Sequence, residues 1–297
     1  MNLDPRCVPC ILNQVIRVAG HLRLSQKRQK EVLKACLKKA ARLLFAGLTS
    51  PEFSAKLYAI AAGKTKVADP YRSLKKKQNI LILKRIGYFR HKIRDSADPL
   101  YTAALYALLG NVIDYGGVTL FDAESLFGSI ADRKLAINGF RRLQARLKRA
   151  RSLLLVADNA GEAVLDRLFL EEISRFHPGL RLMAAVKSRP AINDITAGDA
   201  RHAGLDRVAE IVPSGMALAG TLVAQASPRF KKAFREADVV IAKGQGNFET
   251  LEREKREIFF MFQVKCPVVG EFVNLDVGSL VLGTRDQLAR AGNDPGN

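Results

Sequence analysis

The spacing of apolar residues divides the chain into a helical first half and an alternating second half. In the first half, apolar side chains such as Ile11, Val15 and Val18 recur three or four positions apart, which is the spacing of one helix face. Polar N-cap residues and a proline at a first helical position mark several helix starts. The pattern predicts several helices, among them a long one over about 72–94 and another from 99 towards 114.

In the second half, short apolar runs alternate with helical patterns. This alternation predicts right-handed crossovers and a mostly parallel sheet that is covered on both faces. The predicted strands are Leu153–Ala157, Leu182–Val186, Val208–Val212, Val239–Ala242, Val268–Val269 and Leu280–Leu282. The predicted helices are 135–150, 162–176, 216–225, 228–236 and 250–260, with another from 199. The fold class is therefore α/β: a three-layer α/β/α Rossmann-like domain over residues 151–297, with a helical N-terminal region over residues 1–150.

Polar side chains follow several predicted strands. Asp158 and Asn159 follow the first, Asp194 lies in the loop after the second, and "KGQGN" from Lys243 follows the fourth. These loops meet at one edge of a parallel sheet. Two carboxylates and a carboxamide suit Mg²⁺ or Mn²⁺, and a lysine beside Gly246 and a neighbouring glycine suits an anion. A metal beside an anion site points to phosphate-ester hydrolysis.

Each of these signals also has a purely structural interpretation. Asp158 and Asn159 could form a helix-capping turn, Asn193 and Asp194 an Asx-turn, and Lys243 an ordinary turn. The glycine spacing matches neither a Walker loop nor a dinucleotide fingerprint, which argues against a nucleotide cofactor. Spacing alone leaves these alternatives open.

The charge of the chain is strongly basic. It has 48 Lys and Arg residues against 29 acidic ones, a net charge of +19 and a pI of about 10. The basic residues are dispersed over amphipathic segments, and there is no basic tail, no RNA-binding aromatic signature and no Trp. We interpret the excess as a solvated surface that attracts phosphorylated small molecules, and we do not expect nucleic acid as a partner. A basic nucleic-acid-binding protein without catalysis, or an interaction protein, remain the alternatives.

The N-terminus lacks a secretory signal, and no apolar run is long enough for a transmembrane helix, so we expect a cytoplasmic protein with no membrane partner. In a reducing cytosol the four cysteines are not expected to form a disulfide framework. Cys7 and Cys10 form a CxxC pair, but no histidines lie at zinc-ligand spacing from them. The pair is interpreted as structural, with a second metal site or a redox role as the alternative.

Eight segments, in order, resemble the metal-dependent damage-control phosphatase family, also known as domain of unknown function 89. They are "CVPC", "DPYRSLKKKQN" (69–79), "GNVID" (110–114), "ADNAGEAVLD" (157–166), "KSRPAINDIT" (187–196), "PSGMALAGT" (213–221), "KGQGNFETL" (243–251) and "VKCPVV" (264–269). They cover nearly the whole chain. The CxxC pair resembles the mostly prokaryotic branch of the family.

The resemblance implies an α/β/α fold with a helical N-terminal region and hydrolysis of small phosphorylated metabolites, such as sugar phosphates or damaged phospho-metabolites. It implies a divalent ion (Mn²⁺, Mg²⁺, Co²⁺ or Ni²⁺) on Asp158, Asn159 and Asp194. The implied phosphate and substrate contacts are Lys243, Gly246, Asn247, Ser188 and Ser214, and the helical region would add Gly110, Asn111 and Asp114 to the same cleft.

For the mechanism we favour attack by a metal-activated water, with Glu162 or Asp114 as the proton acceptor. Carboxyl methyl transfer, proposed for a eukaryotic relative, is the remaining alternative. We give it little weight because no glycine-rich loop for S-adenosylmethionine follows the first predicted strand.

Overall fold

A sheet of seven strands forms the centre of the part of the chain that the structure describes. The computed structural model describes residues 1–110 and 134–291. The strands are β1 (Ile137–Asn138), β2 (Ser152–Val156), β3 (Arg181–Val186), β4 (Glu210–Pro213), β5 (Val239–Lys243), β6 (Phe259–Gln263) and β7 (Leu280–Thr284). Their order is β1-β7-β6-β5-β2-β3-β4, and only the β6–β7 pair is antiparallel. The predicted α/β class with a mostly parallel sheet is confirmed.

Helices precede the sheet and connect its strands. The N-terminal helices are α1 (Cys7–His21), α2 (Gln26–Leu43), α3 (Ser50–Thr65), α4 (Arg72–Leu83), α5 (Ile86–Arg94) and α6 (Pro99–Gly110). The later helices are α7 (Phe140–Leu147), α8 (Glu162–Phe176), α9 (Ala197–Ala203), α10 (Pro228–Glu236), α11 (Gln245–Leu251), α12 (Pro267–Val273) and α13 (Arg285–Ala291). Short 3₁₀ turns form at Leu205–Arg207 and Val223–Gln225.

The core follows the two faces of the sheet. Leu153 and Leu155 of β2 face one apolar cluster, which includes α6 and α8, and Leu154 and Val156 face a second cluster, which includes α10 and α11. Side chains that alternate along a strand point to opposite faces, so a strand that is apolar at every position is covered on both sides. A third cluster holds α1, α2 and α3 together.

Helix α6 joins the N-terminal region to the sheet domain. Its residues from Ala103 to Gly110 are all buried, as expected for a helix that is apolar all round. A Cβ atom at Gly110 would lie 3.1 Å from the Cα of Glu162, so the absence of a side chain there allows α6 to approach α8 closely. The helical region therefore forms part of the layer that covers the sheet.

Several predicted elements differ from those observed. The long helix over 72–94 is two helices, because the Arg85 N–H donates to the Ile82 carbonyl and this tight i to i−3 bond ends α4. Val268 and Val269 lie in α12, where Pro267 occupies the first turn, and they do not form a strand. Phe259 begins β6, although a helix was predicted to continue through it. Short apolar runs do not distinguish buried strands from buried helices.

Two further predictions concern boundaries. Of the helix predicted over 216–225, only the 3₁₀ turn at Val223–Gln225 forms, and Gly220 has a φ of 147°, which no right-handed helix allows. The segment 135–150 contains the short strand β1 before α7, so the sheet receives a strand from before residue 150. The division of the chain at that residue stays a prediction.

Candidate metal and phosphate site at the sheet edge

The candidate site lies where the chain reverses its direction across the sheet. From β2 the chain adds β3 and β4 on one side and then returns to place β5 on the other side of β2. Open α/β sheets bind ligands outside the carboxyl ends of the strands at such a switch point. Asp158 and Asn159 follow β2, and Lys243 is the last residue of β5. The topology therefore brings two of the predicted polar loops together.

Backbone hydrogen bonds join the loop after β2 to the loop after β3. Asn159 and Asp194 form an antiparallel bridge. The Ile195 N–H donates to the carbonyl of Asp158 at 2.9 Å, and the Ala160 N–H donates to the carbonyl of Asn193 at 3.0 Å. This pairing places Asp158, Asn159 and Asp194 at one edge of the sheet.

The side chains of this loop do not act as a helix cap. The N-cap of α8 is Gly161, with no side-chain hydrogen bond to the helix start. The Nδ2 of Asn159 instead donates to Oδ2 of Asp158 at 2.6 Å, and both side chains are buried. The capping interpretation of this pair therefore does not describe the observed contacts.

Several carboxylates crowd together at this edge. Burial raises the pKa of Asp158 well above its usual value, and the carboxylates of Asp194 and Glu162 raise it further. Lys265 and Lys187 oppose this rise, with smaller effects. A divalent cation between the carboxylates would relieve the repulsion, and hard oxygen donors of this kind suit Mg²⁺ or Mn²⁺.

Two carboxylates and a carboxamide form the predicted ligand set. Across residues 1–110 and 134–291, no group of three or more His, Cys, Asp and Glu side chains is arranged to hold a metal ion. The third donor of the predicted set is the carboxamide oxygen of Asn159. Asp114 and Asn111, which were predicted to reach this cleft, lie outside the described residues.

The ammonium group of Lys243 is completely buried beneath the site. Its Nζ donates to Oε1 of Glu162 at 2.6 Å, to the carbonyl of Ala107 at 2.9 Å, and to Oδ1 of Asp166. Burial by itself lowers the pKa of Lys243, but the two carboxylates more than compensate and the net pKa is raised, so the lysine stays charged. All three of its N–H groups are used within the protein. A phosphate contact by Lys243 stays a prediction, and it would require this cluster to open.

Lys187 is a second buried lysine, and it lies next to Asp194 in the loop after β3. Lys187 follows β3 directly, as Lys243 ends β5. Its Nζ donates to the carbonyl of Gly220 at 2.6 Å and lies 3.4 Å from Oδ2 of Asp194. The sequence analysis assigned no role to Lys187, although a lysine directly after an apolar strand marks it in the sequence. It offers positive charge next to the candidate ligand Asp194.

Gly244 allows the backbone of the loop after β5 to approach Asp158. Its φ is +78°, and an added Cβ would lie 1.9 Å from Oδ2 of Asp158. No side chain fits in that space, so only glycine is compatible with this contact. The predicted glycine-rich loop after β5 therefore lies directly against the loop after β2 that carries Asp158 and Asn159, which we call the predicted metal loop.

Asn247 and Gly246 connect the neighbouring loops. The buried side chain of Asn247 accepts from the Thr221 hydroxyl at 2.8 Å and donates to the carbonyls of Lys243 at 2.8 Å and Ala157 at 3.3 Å. A Cβ atom at Gly246 would lie 2.4 Å from the carbonyl oxygen of Ala219. These contacts fix the loop geometry, and the predicted substrate contacts of both residues stay predictions.

Ser188 and Ser214 lie in adjacent loops. The Gly215 N–H donates to Oγ of Ser188 at 2.6 Å, and the Met216 N–H donates to Oγ of Ser214 at 3.3 Å. Ser188 is exposed, whereas Ser214 is buried. Both hydroxyls shape the loop after β4, and their predicted role as phosphate contacts is not tested by these bonds.

The N-terminal helical region contacts the predicted metal loop through α4. Oδ1 of Asn79 accepts from the Gly161 N–H at 2.6 Å, and the buried ammonium of Lys75 lies 2.7 Å from both Asp69 and Asp199. The sequence analysis missed these roles. The sequence did carry a signal for them. The buried face of α4 holds polar side chains at positions three or four residues apart, where apolar side chains are typical: Lys75, Gln78 and Asn79, followed by Ile82.

The CxxC pair lies at the start of α1. Cys7 is half-buried and Cys10 is exposed, and the four cysteines of the chain are free thiols. Burial raises the pKa of both Cys7 and Cys10, and the nearby Cys266 contributes to the same direction. Their role, structural or in binding a second metal, stays a prediction.

Comparison with known proteins assigns this arrangement to a family. The family model of the damage-control phosphatase ARMT1-like domain matches residues 3–281. The chain belongs to this family. A protein named damage-control phosphatase from Pyrococcus horikoshii is 30% identical over 292 residues, which cover 95% of this chain and 97% of that protein. An uncharacterized protein from Methanocaldococcus jannaschii is 29% identical over 291 residues, which cover 95% of each chain.

A solved structure has the same fold. The crystal structure of a DUF89 family protein from Pyrococcus horikoshii superposes with a TM-score of 0.89 at 28% identity, and it covers 96% of this chain and 99% of that one. The damage-control phosphatase family suggested by the eight ordered segments is therefore confirmed. Membership supports a phosphatase function. None of the described helices is long and apolar enough to span a membrane.

Proposed function

We propose that the protein is a metal-dependent phosphomonoester hydrolase that acts on small phosphorylated metabolites. In this proposal Asp158, Asn159 and Asp194 hold one divalent cation, Mn²⁺, Mg²⁺, Co²⁺ or Ni²⁺. The observation that carries the proposal is the backbone pairing of the two ligand loops at the switch point, which gathers two carboxylates and a carboxamide in a buried position. Such a cation polarises phosphoryl oxygens and supplies an activated water.

The protein's own residues would bind and orient the phosphate. Lys187 and Lys265 supply positive charge near Asp158, which favours an anionic substrate at this edge. Ser188 and Ser214 border the same set of loops.

The proton acceptor is the least constrained role. Asp114 and Glu162 were the candidates from the sequence, and Asp114 lies outside the described residues. Glu162 is fully buried, with Oε1 bound to Lys243. That oxygen already accepts from an ammonium group, and the side chain has no exposed surface from which to reach a water. In our proposal Glu162 therefore orients the metal loop, and Asp114 is the first residue to test as the proton acceptor.

The test is a turnover screen with matched variants. The purified protein is assayed against a panel of sugar phosphates and other phosphometabolites, with each divalent metal in turn and after chelation. Asp158→Asn and Asp194→Asn should remove most of the metal-stimulated turnover, whereas Asp206→Asn, the same change at an exposed position, should leave it unchanged. Turnover that survives chelation, or that persists in both site variants, would refute the proposal.

A further inference from the structure

Lys243 forms a charged cluster whose members differ in one important contact. The cluster consists of Lys243, Glu162 and Asp166, which are all fully buried. Glu162 and Asp166 lie one turn apart on the same face of α8, and both accept from the lysine. A buried ion pair of this kind is costly unless every charge is matched, so its presence beneath the candidate site calls for a physical reason.

Glu162 connects the cluster to the metal loop. Its Oε2 accepts from the backbone N–H and from Nδ2 of Asn159, each at 3.4 Å. The same Nδ2 also donates to Asp158 at 2.6 Å. With its amide nitrogen held on these two carboxylates, the carboxamide of Asn159 can present only its oxygen to a cation.

Asp166 shows no such connection. Its Oδ1 accepts from Lys243, and its Oδ2 has no hydrogen-bond partner among the described residues. The two acids therefore contact the same lysine, but of the two only Glu162 touches a predicted metal ligand. This difference separates a positioning role of the cluster from a purely structural one.

We propose that Lys243 is a positioning residue that holds Glu162 against Asn159 and thereby orients the Asn159 carboxamide toward the cation, and that it does not bind substrate phosphate. The inference rests on the proposed function, because it assumes a cation on Asp158, Asn159 and Asp194. The geometry carries it: the three N–H groups of Lys243 are used by Glu162, Asp166 and the Ala107 carbonyl. Partners that orient metal ligands typically change metal affinity 10–100-fold when they are replaced.

The experiment measures Mn²⁺ binding directly, without turnover. Metal-free protein is titrated with Mn²⁺, and free Mn²⁺ is followed by electron paramagnetic resonance for the parent and for Glu162→Gln and Asp166→Asn. Both changes replace an acid that accepts from the same lysine by its uncharged amide, and the titration is run at pH 8, above the pKa of about 7 to which burial raises Asp166, so they form a matched pair. We expect Glu162→Gln to weaken Mn²⁺ binding about 10–100-fold and Asp166→Asn to change it far less.

Lys243→Met tests the lysine itself, by Mn²⁺ titration and by the split between KM and kcat at saturating Mn²⁺. A positioning role predicts weaker Mn²⁺ binding with little change in KM. A phosphate-contact role predicts unchanged Mn²⁺ binding with a raised KM, and that result would overturn the inference. If Lys243→Met does not fold, the pair of variants that keep the lysine decides the question.

The outcomes separate this inference from the proposed function. Equal Mn²⁺ affinities of Glu162→Gln and Asp166→Asn, in a protein whose parent form binds Mn²⁺, would overturn the positioning role alone. A parent protein that binds none of the proposed metals would overturn the proposed function and this inference together.

Discussion

Replacing Gly244 by alanine should damage the candidate site more than any other single methyl group added to the loops around it. The new Cβ would lie 1.9 Å from Oδ2 and 2.3 Å from Cγ of Asp158, far inside van der Waals contact. The Asp158 side chain is short and buried, so it has little room to turn away. Either its carboxylate has to leave its position or the backbone of the loop after β5 has to move. The first movement takes the Asp158 carboxylate away from the Asn159 carboxamide, and the second opens the contact between the two loops.

The magnitude has a backbone contribution and a site contribution. Gly244 has φ +78° and ψ 155°, a region that is essentially restricted to glycine, and holding another residue there costs about 1–3 kcal/mol. At about 2–4 °C per kcal/mol for larger domains, the melting temperature should fall by several degrees. Displacement of Asp158 should in addition abolish most of the Mn²⁺-induced rise in melting temperature.

Thermal melting with and without Mn²⁺ measures both contributions. Gly63→Ala is the matched control, because Gly63 lies in α3 and an added Cβ there meets nothing within 4 Å. That variant should gain about 0.5–1 kcal/mol, since alanine loses less backbone entropy in a helix than glycine does. If Gly244→Ala melts like the parent and keeps its response to Mn²⁺, the close contact between the two loops does not exist in solution.

Two further substitutions test the charges around the site. Asp158→Asn should melt at or above the parent in metal-free buffer at pH 8, because the pKa of Asp158 is raised in the folded protein and its ionisation therefore costs stability as the pH rises. The difference in melting temperature should narrow as the pH falls through that raised pKa and the parent takes up the proton. A variant that melts far below the parent at pH 8 would show a structural role for Asp158 instead. Lys75→Met should lose about 3–5 kcal/mol in urea unfolding at pH 7, because it leaves Asp69 and Asp199 without their buried partner. Burial raises the pKa of Asp199, but Lys75 and Thr196 lower it more, so the net pKa of this carboxyl is lowered. The stability that the ionised carboxylate contributes should therefore be lost as the pH falls below about 4. If the stability lost in Lys75→Met is the same at pH 7 and at pH 3, this reasoning is wrong.

Local patterns predicted the elements of the second half and the positions of its polar loops. The apolar runs of β2 and β3 and the helical pattern of α8 were recognised within a residue or so, because strands covered on both faces are apolar at nearly every position. The same logic failed at β6 and at Val268, where a short apolar run is compatible with either structure. Element type was readable where the pattern was long or was flanked by clear turn signals.

The sequence by itself predicted that Asp158, Asn159 and Asp194 lie at one edge of the sheet. Parallel strands end at the same edge, so the loops that follow two such strands lie there. The bridge that joins Asn159 to Asp194, well beyond the end of β3, was decided by the tertiary structure. The sequence did not determine that β2 and β5 flank the switch point, because strand order depends on which crossovers pack best. The close contact of Gly244 with Asp158 follows from that order.

Only the tertiary structure decided what the lysine after β5 touches. From the sequence, Lys243 in a glycine-rich loop was predicted to contact phosphate. In the folded chain its ammonium lies beneath the loop, between two carboxylates of α8 and a carbonyl of α6. A long side chain at a strand end can point into solvent or into the protein. Which of the two occurs depends on partners distant in the chain, because a buried charge is stable only where opposite charges have already been placed to receive it.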